Sequence, residues 1–166
     1  MEYFNRNMLK TLLFISLFTI TGCAHKNMGL ERDTERQVES EVSQAFKDLA
    51  VAAKSLNVDD YLAFFDKKQF TSLNDDGSVF HSFRDFEDLY RQQIPALEKY
   101  KSLNFANVKI TVLNHSTAIL VNEFTAEVVL KSGDTVSAGG AGTQVWSKMS
   151  GAWLLANVSA SMKTDG

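Results

Sequence analysis

Apolar residues recur at three- and four-residue steps across residues 31–57: Val38, Val42, Phe46, Leu49, Ala53 and Leu56. That spacing predicts one long helix with a single apolar stripe. Glu31, Asp33 and Glu35 crowd its start, where the helix dipole favours negative charge. Asn57 predicts its stop, and also the N-cap of a short second helix over residues 58–65 that carries Tyr61, Phe64 and Phe65. The period then changes. Residues 70–73 and 79–81 flank Asn74-Asp75-Asp76-Gly77-Ser78, which predicts a small hairpin. An EF-hand calcium loop would need acids at Ser72 and Phe83, so the acidic run reads as a turn. Ser82 predicts the cap of a third helix over residues 83–94, with Phe83, Phe86 and Tyr90 inward. Pro95 ends it and opens a last turn to Tyr100.

The C-terminal third has a different pattern. Residues 108–113, 119–121 and 128–130 are β-branched and aliphatic, and the breaks fall at Asn114-His115-Ser116, Ser132-Gly133-Asp134 and Ser150-Gly151. Breaks that short predict an antiparallel meander of four strands. Strict alternation on the last strand puts Leu154, Ala156, Val158 and Ala160 on one face and Trp153, Leu155, Asn157, Ser159 and Ser161 on the other. The first set is wholly apolar and is expected inside. Residues 137–143 are rich in glycine but lack a following Lys-Ser/Thr and a helix. They predict a bulged or bent strand closely approached by another backbone, not a phosphate loop.

Helices first and strands after them predict an α+β fold: a curved antiparallel sheet, a cone-like half-barrel, with three N-terminal helices on its concave face. Thr143-x-Val145-Trp146-x-Lys148, Gly151-x-Trp153-x-Leu155 and the terminal Ser161 sharpen this. With the element order over residues 31–162, they resemble the nuclear-transport-factor-2-like superfamily in its SnoaL-like branch. The resemblance implies a cone with a pocket on its concave face, in a superfamily of isomerases, dehydratases, hydrolases and assembly domains. Relatives often carry His-x-His-x-Ser on the last strand. Asn157, Ser159 and Ser161 stand there in this chain, so chemistry that needs those imidazoles is not expected.

The N-terminus reads as targeting. Arg6 and Lys10 precede an apolar run of ten residues, 11–20. Ten helical residues span ~15 Å against a ~30 Å hydrocarbon core, so this is a signal segment and not a spanning helix. Met8 is a second candidate start. Ile20-Thr21-Gly22-Cys23 resembles the bacterial lipobox, which implies cleavage before Cys23 and acylation of its thiol and amine. More than one acyl chain gives stable membrane attachment. Ala24, where an inner-membrane retention signal has Asp, implies the outer membrane facing the periplasm. The expected organisation is therefore a signal peptide over residues 1–22, a lipidated tether over 23–30 and one domain over 31–166. Cys23 is the single cysteine, so the fold rests on its core without an intrachain disulfide.

Loss of Glu2, Arg6 and Lys10 with the signal moves the net charge from −3 to −4. An acidic chain without a Lys/Arg cluster is a poor partner for nucleic acid. His25, His81 and His115 have no metal-ligand spacing, and no metal or cofactor is expected. If Ile119 and Val121 face inward, parity brings Glu123 and Thr125 in with them, and Tyr61, Glu123, Thr125, Gln144 and Trp146 surround one ligand pocket. A carboxylate against apolar walls is suited to acid–base work, provided no bulge turns it outward. The same parity turns Leu120, Phe124, Val145, Trp153 and Leu155 away from the helices, as the apolar patch of a homodimer. Three readings follow: an envelope binding or accessory domain with a small apolar ligand, an isomerase- or dehydratase-like enzyme with Glu123 as general base, or a dimeric assembly module with a vestigial pocket.

Overall fold

The computed structural model describes residues 30–163. Three helices, α1 (Arg32–Ser55), α2 (Val58–Leu62) and α3 (Phe83–Gln93), surround a short hairpin of β1 (Thr71–Leu73) and β2 (Val79–Phe80). Four longer strands follow: β3 (Leu97–Asn114), β4 (Thr117–Leu130), β5 (Thr135–Ser147) and β6 (Leu154–Met162). They form one six-stranded sheet in the order β2-β1-β6-β5-β4-β3, antiparallel except for β1 beside β6. This is the α+β architecture expected from the order of elements, open at β2 and β3.

Local chemistry sets most element ends as anticipated. The Asn57 side chain accepts from the N–H groups of Asp59 and Asp60, and Ser82 Oγ accepts from Asp85 N–H. Gly77, Gly133 and Gly151 hold the three tight turns with positive φ. The α1 stripe buries Val38, Val42, Phe46 and Leu49, then Ala52 in place of the expected Ala53. One expectation fails after Pro95. A single 3₁₀ turn over Ile94–Ala96 leads straight into β3, so residues 97–100 are strand.

β3 is long because it is bent. Its pairing with β4 shifts at four places, including an extra residue between Ala106 and Lys109 where Asn107 has φ 51°. Each shift bends the strand and adds twist, which curves the sheet around α1. Asn tolerates the left-handed conformation better than most residues. On β5, Gly140 is required: a Cβ there would collide with the backbone oxygen of Ser161 and press on the Phe124 ring. The close backbone approach expected in the glycine run is present, while the register with β4 is unbroken.

A bulge in β6 overturns the strict alternation read from its sequence. Trp146 pairs with Leu155, but Val145 pairs with Asn157, so Ala156 is an extra residue. Leu155 and Val158 therefore share the concave face, although three positions apart. Leu155 is 1% exposed in the core, where alternation put it outside, and Leu154 is only half-buried. Trp153 is also in the core. Replacing Leu155 by Ala should cost about 2–5 kcal/mol of stability, and Leu154→Ala about 1 kcal/mol or less. Denaturant melts of the two variants check this, and equal losses would contradict the bulged register.

Candidate functional site

The direction of β4 decides what the site can be. Ala118 and Leu120 are fully buried against the helices, and Asn122, Phe124 and Ala126 continue that face. Ile119, Val121, Glu123, Thr125 and Glu127 consequently lie on the convex face. This reverses the expected parity. The run 118–121 is apolar on both faces, so it carries no phase of its own; packing under α1 selects Ala118 and Leu120.

The five expected site residues therefore divide. Gln144 and Trp146 are on the concave face, joined by a hydrogen bond from Trp146 Nε1 to Gln144 Oε1 of 3.0 Å. Trp146 is 0% exposed, a core side chain. Tyr61 is also on the inner side, its ring stacked on Tyr90 at 4.6 Å. Glu123 and Thr125 are on the opposite side of the sheet and exposed. Burial against apolar walls, which the general-base reading of Glu123 requires, is absent. Its nearest cation is Lys163 at 3.9 Å. Of the expected dimer patch, Leu120, Trp153 and Leu155 are core, Phe124 faces inward, and only Val145 is on the convex face. The lipidation residue, Cys23, lies outside the described residues.

The concave interior is filled around Trp146. Phe46 meets Phe105 edge-on at 4.9 Å, and Val42, Leu120 and Leu155 complete the packing. What remains open is a cleft of about 180 Å³ at its mouth, walled by Tyr61, Phe70, Phe86, Val158, Ala160 and Met162. Burial raises the pKa of the Tyr61 phenol, and Tyr100 adds to the shift; Tyr90 is raised by burial first, then by Tyr61 and Tyr100. All three phenols are therefore neutral at ordinary pH. The convex face carries a separate depression of about 360 Å³ lined by Val121, Glu123, Thr143, Ser159 and Ser161. Among the described residues no group of three His, Cys, Asp or Glu is placed to hold a metal.

Two polar features escaped the sequence reading. Asn122 Oδ1 is buried without a partner, while its amide donates to the Glu123 carbonyl. The Gln37, Glu41, Lys148 and Trp153 side chains form a clasp between α1 and the β5–β6 turn. Glu41 Oε2 accepts from Lys148 Nζ and Trp153 Nε1, both at 2.7 Å, and Oε1 accepts from Gln37. Glu41 on the polar side of the α1 stripe and Lys148 within the C-terminal motif were each visible; nothing in the spacing paired them.

The structure is similar to solved proteins, several of them named as nuclear-transport-factor-2-like. It superposes on a nuclear-transport-factor-2-like protein of Salmonella enterica serovar Typhimurium with a TM-score of 0.68 and 16% identity, over 78% of this chain and 94% of that one. The chain has the nuclear-transport-factor-2-like fold. A protein of that family from Streptomyces avermitilis, named as a candidate dehydratase, gives 0.68 and 13% identity over 79% and 99% of the two chains. The association domain of C. elegans CaMKII gives 0.61 and 15% over 78% and 98%. No protein-family model and no curated protein matches the sequence. At these identities the likeness establishes the fold alone, and the neighbours' named activities belong to them.

The clasp yields a pH prediction. Its hydrogen bonds from Lys148, then Trp153 and Gln37, hold the Glu41 carboxyl at about 2, below its ordinary 4.5. A depressed folded pKa stabilises the native state above about pH 4.5 and loses that contribution as pH falls toward 2. The side chain is 31% exposed and Lys148 37%, so solvent screening reduces the effect to about 1 kcal/mol. Glu41→Gln should be less stable than wild type by that amount at pH 7, and the gap should shrink steadily below pH 4.5, most of it gone by pH 2.5, in denaturant melts.

Proposed function

We propose that this chain is a lipid-anchored accessory domain of the bacterial cell envelope that works by self-association through the convex face of its sheet. The observation supporting this is the composition of that face. Ile119, Val121 and Val145 are neighbours across β4 and β5. Around them stand Thr111, Thr143, Asn157 and Ser159, neutral and short. Lys109 stands directly opposite Val121 on β3, and Glu123 is two residues along β4. A small apolar centre bordered by polar side chains, with one charge of each sign at its edge, matches the anatomy of a protein interface. The contact residues differ from those read off the sequence, and the face is the one that points away from the helices. A structural neighbour named as an association domain fits the same reading.

The anchor is Cys23, with residues 1–22 as signal and 23–30 as tether, and the expected location is the outer membrane facing the periplasm. No helix among the described residues is long and apolar enough to cross a membrane. A second reading draws on the cleft at Tyr61. At about 180 Å³ it is close to the ~150 Å³ cavity that accepts benzene, so a small apolar ligand fits. Native mass spectrometry of the purified chain would reveal a retained mass. The enzyme reading draws no such support, because Glu123 is across the sheet from that cleft.

Two outcomes test the proposal. In sedimentation at micromolar concentration the wild type should be a dimer and Val121→Glu with Val145→Glu a monomer. A monomeric wild type would remove the association reading. Cys23→Ser should accumulate as unprocessed precursor lacking the acyl mass, and normal processing of that variant would remove the anchor.

A further inference from the structure

A second cleft lies on the other side of Phe65 from the Tyr61 cleft's lining aromatics, with Phe65 bordering both. The segment after α2 runs along the start of β6, with Asp66 N–H donating to the Leu155 carbonyl and Leu155 N–H to the Phe64 carbonyl, both at 2.8 Å. The β5–β6 turn stands opposite, and Gln69 Nε2 reaches Met149 Sδ across the gap at 3.8 Å. Between them is a cleft of about 420 Å³, walled on its apolar side by Ala63, Phe65, Leu154 and Met149. Lys67 and Lys68 also line it.

The charge at this cleft is unbalanced. Neither lysine forms an ion pair with a described residue. Lys67 Nζ lies over the Phe83 ring at 5.6 Å, and Lys68 Nζ has no described partner. The one carboxylate lining the cleft, Asp66, is 5% exposed and accepts from the backbone N–H groups of Lys68 and Gln69. Both bonds fall on Oδ1, and one carboxylate against two lysines leaves the cleft lining with a net positive charge. Met149 is 71% exposed, and a thioether side chain adapts its shape to what it covers.

We propose that this cleft binds an anionic amphiphile: an alkyl chain between Phe65, Leu154 and Met149, and a carboxylate or phosphate head at Lys67 and Lys68. At the ~30 Å³ taken by a water-sized group, the volume holds on the order of a dozen chain atoms. Two lysines at an apolar slot favour such a ligand over a neutral one of equal length. A free fatty acid and an anionic phospholipid share this chemistry.

Photo-crosslinking in membranes that carry the full-length chain tests it. The probes are diazirine-bearing dodecanoate, diazirine-bearing phosphatidylglycerol and, as the neutral control, diazirine-bearing dodecanol. Either anionic probe should label peptides from residues 63–69 or 149–154, and the one that labels more strongly identifies the source. Lys68→Gln, an exposed and structurally mild change, should reduce that labelling about five-fold. Labelling equal to that of dodecanol, unchanged in Lys68→Gln, or spread over the whole chain would overturn the proposal.

Discussion

The extra residue at Ala156 is the constraint on which the rest of the molecule depends. It lets Leu155 turn inward beside Trp146 and still puts Asn157 on the convex side, where its amide donates to the Thr71 carbonyl and hydroxyl oxygens. Without it, the final strand could seal the core or hold β1 in place, but not both in this register. Trp146 at the centre of the sheet is then closed from two directions, by α1 and by the Phe64–Leu155 contact. Burial of so large an aromatic contributes several kcal/mol relative to a truncated side chain.

Filling the cone has a consequence for function. A fold that can enclose a pocket on its concave side here spends that space on Phe46, Phe105, Leu120 and Trp146. Polar groups with open surroundings are displaced to the mouth and to the convex face. Glu123 and the hydroxyls of Thr143, Ser159 and Ser161 are all outside. The charge-assisted contact that joins helix to sheet is the Glu41 clasp, while Arg91 ties α3 to Asp59 of α2. The outer sheet surface and the Lys67–Lys68 cleft are therefore the two surfaces proposed for recognition.

Much of this was legible in the sequence. The 3.6-residue stripe of α1, the Asn57 and Ser82 caps and the glycine turns carry strong local signals, and each helix starts within a residue of where those signals put it, although α2 ends at Leu62 and not at Phe65. Strand direction was harder. Glu123, Thr125 and Glu127 alternate with Phe124, Ala126 and Val128, and that alternation pointed outward for the acids. The two-sided apolar run 118–121 and the buried Asn122 masked it. On β6 the clue was the pair Trp153 and Leu155, two large apolar residues on an otherwise polar face. A bulge resolves that conflict, but its position depends on contacts with β5 and β1 that are remote in sequence. The Glu41 clasp was hidden for the same reason, its partners being more than a hundred residues apart.

In the proposed assembly one copy meets another across the convex sheet face. A photo-reactive amino acid placed at Thr143, on that face, and separately at Val51, exposed on the outside of α1, tests it in intact cells. A covalent dimer, both halves of which are this chain, is expected from position 143 and none from position 51. A dimer from position 51 alone, or adducts from neither, would contradict it.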